Sequence, residues 1–156
     1  MRYDELIPRS QMRPQRSHGD ALRIYDPAAN NPGRGHPWTL TLSNGVIVHF
    51  CWADGPDLWS RVGSSTVYTD RLTGPRDRAR SKANLQNSVS LLAAAMNRRA
   101  SIRCVVLGGD KRGNRVLDVP TQLRGRVRRA NPCAGEGIEI VFEVEGDRTG
   151  MSATNR

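Results

Sequence analysis

Asn44-Gly45 sits between two stretches that alternate apolar and polar residues, Trp38-Thr39-Leu40-Thr41-Leu42 and Val46-Ile47-Val48-His49-Phe50-Cys51-Trp52. Glycine accepts the positive φ that a tight hairpin turn requires, so this arrangement predicts two antiparallel strands joined through Ser43-Asn44-Gly45. With a side-chain period of two, Trp38, Leu40 and Leu42 share one face of the first strand. Val46, Val48, Phe50 and Trp52 share one face of the second.

The rest of the chain is read around this hairpin. Ala53-Asp54-Gly55-Pro56-Asp57 breaks the second strand, and Ser64 to Tyr68 can form a third. Thr73-Gly74-Pro75 announces a helix over 76–98, on which Leu85, Val89, Leu92 and Met96 fall into one apolar stripe. Arg98 and Arg99 suit the negative end of its dipole. Ser101 to Leu107 reads as a buried strand, and Gly108 to Asn114 as a long polar turn. Arg115–Val119, Leu123–Ala130 and Ile138–Val144 read as three more strands. Leu22-Arg23-Ile24-Tyr25 could add a short edge strand. No internal repeat is present.

Many strands with one long helix exclude a doubly wound parallel sheet, which needs a helix at nearly every crossover. The expected fold is α+β: a strongly bent antiparallel or mixed sheet, with a partly closed barrel as its most curved form, covered by one long helix. With 156 residues and 37% hydrophobic content there is material for one modest core. Residues 37–146 are read as that domain. Residues 1–36, rich in Pro and Arg, are read as a flexible basic arm, and 147–156 as a loose tail.

No stretch approaches the roughly 20 apolar residues of a membrane helix. The charged start Met1-Arg2-Tyr3-Asp4-Glu5-Leu6, with no apolar run after it, does not resemble a signal peptide. Cys51, Cys104 and Cys133 are widely spaced and lack any C-x-x-C pattern, so neither a zinc site nor a disulfide framework is expected. A reducing cytoplasm is the simplest setting.

The net charge of +9 comes from 24 cationic residues, of which only Lys82 and Lys111 are lysine, leaving 22 Arg. GC-rich coding alone favours arginine, but planar guanidinium forks also suit phosphate groups. Position decides between these readings. Arg71, Arg76, Arg78, Arg80 and Lys82 crowd the approach to the long helix and its first turns, against the positive end of the dipole. A bound anion would reverse that penalty, with the hydroxyls of Thr69 and Thr73 at hand. The competing reading is a solvated face paired with Asp70 and Asp77.

A second row, Arg124, Arg126 and Arg128, shares one face of its strand, while Leu123 and Val127 take the other. Alternate positions lie about 6.6 Å apart, close to the phosphate spacing along a nucleic-acid strand. Here the competing reading is cross-strand pairing with Glu139, Glu143 and Glu145. Trp59 and Tyr68, near expected loops beside the first cluster, are candidates for stacking on a base. Trp38 and Trp52 read as core.

His49 and Cys51 share a strand face, yet no carboxylate or third histidine completes a metal site or a nucleophilic dyad. The chain has no H-E-x-x-H, G-x-S-x-G or phosphate-binding loop, and neither lysine follows the Asp/Glu-x-Lys pattern of metal-dependent nucleases. Gly33-Arg34-Gly35 and Gly108-Gly109 lack a strand-then-helix context. No cofactor or metal is expected.

The expected function is a nucleic-acid-binding module for DNA or RNA. The alternatives are a metal-independent nuclease or other phosphoester-processing enzyme, and an assembly subunit of a phage or nucleoprotein particle. The architecture resembles small pseudo-barrel readers of DNA or RNA in outline, a likeness that transfers no residue roles.

Overall fold

Gly45 adopts φ +90°, and its N–H donates to Leu42 O at 2.9 Å while Leu42 N–H donates to Val46 O at 2.8 Å. The hairpin predicted at Asn44-Gly45 is thus formed in the computed structural model, which describes residues 1–33, 36–55, 57–72, 82–110, 113–131 and 137–145. Its strands are β1 (Thr39–Thr41) and β2 (Ile47–Trp52), with Thr39 opposite His49 and Thr41 opposite Ile47. The remaining strands are β3 (Trp59–Val62), β4 (Ser65–Asp70), β5 (Ser101–Asp110), β6 (Gly113–Asp118), β7 (Leu123–Ala130) and β8 (Ile138–Val144). The α-helices among the described residues are α1 (Tyr3–Leu6), α2 (His18–Tyr25) and α3 (Lys82–Asn97).

The fold is mixed α+β, built on an eight-stranded sheet in the order β1-β2-β5-β7-β8-β4-β3, with β6 paired to β5 off that path. β2 and β5 run parallel, and the other pairings are antiparallel. Opposite β2, one edge of β5 serves two strands in turn: β7 at Ser101–Ile102 and β6 from Val106 to Asp110. The strand path is open, since β1 and β3 end it without pairing to each other. The barrel closure entertained from the sequence is therefore not formed among the described strands.

A parallel pair is stable when both faces are covered, and every residue of β2 is buried. One face carries Ile47, Cys51, Ile102, Cys104 and Val106, packed with Val89, Leu92 and Ala95 of α3 and with Ile138, Ile140 and Phe142 of β8. The other carries Val48, Phe50, Trp52, Val105 and Leu107 beneath Ala21 and Leu22 of α2, with Trp38 and Leu42 of the hairpin. Leu92 is fully buried, and truncating such a side chain to alanine costs about 2–5 kcal/mol. Ser88 fixes α3 to the start of β1, its Oγ accepting from the N–H groups of Trp38 (3.0 Å) and Thr39 (3.2 Å).

The N-terminal segment, expected as a free arm, packs against the sheet. Tyr3 is fully buried, and its Oη donates to Asp118 Oδ2 at 2.5 Å. Leu22–Tyr25, expected as an edge strand, lies in α2, which Ser17 caps by accepting from Asp20 N–H at 3.1 Å. Trp59–Val62, where no element was expected, is a strand that turns through Gly63 (φ +62°) into β4. Gly108 and Gly109, read as turn, extend β5 opposite Arg115 and Asn114. The start of the expected helix, residues 76–80, lies outside the described residues, as do Gly33-Arg34-Gly35 beyond Gly33, Thr73, Cys133 and the 147–156 tail. No helix among the described residues is long and apolar enough to cross a membrane.

Candidate nucleic-acid interface

β7 alternates buried and exposed residues as its sequence suggests, with Leu123, Gly125 and Val127 inward and Arg124, Arg126 and Arg128 outward. Gly125 is required by what lies beneath it. A Cβ there would fall 2.6 Å from Phe142 Cε1 and 2.8 Å from Ile140 Cγ2, inside any real carbon–carbon contact. The Arg-Gly-Arg pattern thus alternates an outward cation with a vacancy filled by the aromatic ring of β8. The register with β8 shifts between Val127, opposite Ile140, and Arg129, opposite Glu139. This bulge makes Arg128 the additional residue and leaves Arg128 and Arg129 exposed side by side.

The counterions are distributed unevenly. Glu139, on β8, pairs with Arg128 and, at 3.6 Å, with Arg129. Glu145 pairs with Arg103 at 2.9 Å and Arg124 at 3.2 Å. Arg103 also donates to the carbonyls of Thr121 and Leu123, each at 3.1 Å. Glu143 faces Arg124 across the ladder. Arg126 stands between Ser101 on β5 and Val141 on β8 and forms no ion pair among the described residues. Among the described residues, five guanidinium groups (Arg103, Arg124, Arg126, Arg128, Arg129) therefore meet three carboxylates (Glu139, Glu143, Glu145), an excess of two positive charges.

Arg71 follows Asp70, which pairs with Ile138, itself paired with Ala130. The exposed Arg71 consequently emerges at the same end of the sheet as Arg128 and Arg129. Gly137 (φ +69°) makes that corner possible, since a Cβ on it would sit 2.6 Å from Arg71 Cα. Lys82 is exposed as the first residue of α3. Arg76, Arg78 and Arg80 lie outside the described residues. Asp70, expected as a surface anion beside these cations, is buried and turned inward, accepting from Tyr68 Oη at 3.0 Å and Leu72 N–H at 2.9 Å.

The chain matches no protein-family model, no curated protein and no solved structure.

Trp59 and Tyr68 do not sit on this surface. They are cross-strand partners in the β3–β4 hairpin, 1% and 0% exposed, with ring centroids 4.7 Å apart. Trp59 Nε1 donates to Trp52 O at 2.7 Å, and Tyr68 Oη accepts from Trp52 N–H at 3.2 Å. Both polar tips are satisfied inside the core. Neither ring presents a face to a base, which corrects the reading that placed them beside loops. Burial and the neighbouring Asp70 push the Tyr68 hydroxyl pKa well up, so it stays protonated.

His49 and Cys51 are equally enclosed. His49 Nδ1 meets Thr39 Oγ1 at 2.8 Å, its Nε2 has no hydrogen-bond partner among the described residues, and burial lowers its pKa to about 3. Burial likewise raises the Cys51 thiol, beside Cys104. A neutral imidazole and a protonated thiol sealed from solvent pack as core. Among the described residues no group of three or more His, Cys, Asp or Glu could hold a metal ion.

Sequence reasoning missed Arg103 and Arg129. Arg103 lies within the apolar run of β5, where only its strand phase, opposite to Ile102 and Cys104, marks it as outward. Arg129 breaks the alternation of β7, and nothing local signals the bulge that exposes it.

Proposed function

We propose that the outward face of β7 binds the backbone of a nucleic acid, with Arg126 at its centre and Arg124, Arg128 and Arg129 along the track. Arg71 extends this track at one end; by sequence, Arg76, Arg78, Arg80 and Lys82 are further candidate phosphate contacts. The observation that carries the reading is the charge imbalance: among the described residues an exposed row of guanidinium groups outnumbers its carboxylates, and Arg126 pairs with none. Guanidinium forks at alternate strand positions repeat at about the spacing of successive phosphates, and each grips phosphate oxygens bidentately. With Trp59 and Tyr68 buried, base stacking drops out of the proposal. Binding then rests on backbone contacts, which fix orientation without reading sequence.

Fluorescence anisotropy with labelled single- and double-stranded DNA and RNA tests this. Arg126→Glu is expected to weaken binding by about tenfold or more, since it removes a phosphate contact and adds a like charge. Arg23→Glu, on α2 where Arg23 pairs with Asp20, is expected to change affinity by less than about threefold. Equal effects of the two variants would contradict the assignment to β7.

A further inference from the structure

Along β5, Ser101 adjoins Arg126 while Gly108 and Gly109 lie at the far end, roughly 25 Å away at strand rise. There the N-terminal segment and the β5–β6 hairpin enclose a cleft of about 350 Å³. Three guanidinium groups from separate parts of the chain line it, Arg2, Arg9 and Arg115, with the carboxylates of Asp4 and Asp54. Arg2 lies 3.6 Å from Asp4 and 3.8 Å from Asp54, and Arg9 lies 3.9 Å from Asp4. Charge-assisted hydrogen bonds are roughly 2.7–2.9 Å long, so these contacts leave the N–H forks available. Arg115 forms no ion pair among the described residues.

The cleft also has an apolar wall, Met12 and Leu117. Leu117 lies against Gly108, where a Cβ would fall 2.7 Å from Leu117 Cδ1. The covering segment is pinned at both ends. Tyr3 N–H donates to Ala53 O at 3.2 Å and Tyr3 Oη to Asp118, while Arg13 N–H donates to the other Asp118 oxygen at 2.7 Å. The backbone that carries Arg2, Asp4 and Arg9 is thus held in place before any ligand arrives.

We propose that this cleft binds a nucleoside monophosphate, either a free nucleotide or the phosphorylated end of a strand. A phosphomonoester offers three oxygens to the three guanidinium groups, where a carboxylate would offer two. Asp4, whose contacts with Arg2 and Arg9 are long, accepts a hydrogen bond from a sugar hydroxyl, which a ligand of phosphate alone would not supply. Met12 and Leu117 cover the face of the base, and the volume falls within the range of small-ligand sites.

Isothermal titration calorimetry with AMP, adenosine and inorganic phosphate tests the proposal. AMP is expected to bind saturably at one site, at least about tenfold tighter than adenosine or phosphate. Arg115→Ala is expected to weaken AMP by about tenfold while leaving the melting temperature unchanged. Competition by 5′-phosphorylated against 5′-hydroxyl oligonucleotides, run in the Arg126→Glu background, separates the sources. Displacement of AMP by the phosphorylated strand alone assigns the strand end, and no displacement by either assigns the free nucleotide. Absence of saturable AMP binding, phosphate binding as tightly as AMP, or unchanged affinity in Arg115→Ala would overturn the proposal. The proposal does not depend on β7, because Arg126→Glu is expected to bind AMP normally.

Discussion

Arg128 and Arg129 are consecutive residues of β7, yet both turn to solvent and both reach Glu139. In a regular strand one of them would point into the core. The bulge after Val127 spares the core a buried guanidinium and concentrates two cations at the end of the sheet where Arg71 emerges. It also makes Glu139, 9% exposed, the carboxylate that most restrains the proposed binding face.

Replacing that carboxylate should release the face. Glu139→Gln keeps the shape of the side chain and removes its charge, freeing Arg128 and Arg129 for phosphates. Nucleic-acid affinity is expected to rise, and the slope of log K against log salt to steepen by about one or two. Loss of the charged partner is expected to lower stability by about 1–3 kcal/mol in urea titrations. Weaker binding by a folded Glu139→Gln protein would contradict the role given to these two arginines.

Gly125 separates two exposed arginines, and a glycine within a strand ordinarily weakens it. The structure gives it a packing role instead. Gly125→Ala is expected to destabilise by about 1–3 kcal/mol, because Phe142 and Ile140 must move to admit a methyl group. Chemical denaturation measures this, and a neutral result would mean that the ring of Phe142 yields freely.

β7 and β8 were readable because strict alternation over seven or eight residues leaves one strand phase that buries the apolar set. The Asn44-Gly45 hairpin was readable because its turn chemistry is local. α1 and α2 were not, because helices of four and eight residues are too short to form on propensity. They depend on distant contacts such as Tyr3 with Asp118 and Tyr25 Oη with Cys104 O. The proposed binding face was half readable: Arg124, Arg126 and Arg128 follow from period two, as do Glu139, Glu143 and Glu145. The burial of Trp59 and Tyr68 depends on β3 being a strand, and Trp59-Ser60-Arg61-Val62 carries little apolar alternation.

The neutral, enclosed His49 should make stability fall on the acid side. Its pKa in the fold, about 3, lies below the ordinary histidine value of 6.5. The unfolded chain therefore takes up a proton that the fold refuses. The contribution is complete above pH 6.5 and is lost progressively as pH falls towards 3, at up to about 1.4 kcal/mol per unit. Urea midpoints between pH 7 and 4 are expected to decline in the parent and to decline less in His49→Gln. Parallel declines would show that other groups govern acid unfolding.

The end of α3 holds a correctable strain. Ala100 N–H donates to Ala95 O at 2.9 Å and Arg99 N–H to Met96 O at 3.1 Å, closing the helix with Arg99 at φ +56°. Glycine normally occupies that left-handed position, and a side chain there costs about 1 kcal/mol. Arg99→Gly is expected to raise stability by about 0.5–1 kcal/mol, part of the gain being offset by a more flexible unfolded chain. A loss of stability would show that the Arg99 side chain makes a contribution beyond its backbone.

Salt dependence of nucleic-acid affinity tests the central claim most directly, because it counts neutralised phosphates. Three contacts by Arg124, Arg126 and Arg128 would lower affinity for duplex DNA roughly 40-fold between about 50 and 200 mM salt. The slope is expected to shrink by about one in Arg126→Ala. An affinity that stays flat across that range, or a slope unaltered by Arg126→Ala, would contradict the account.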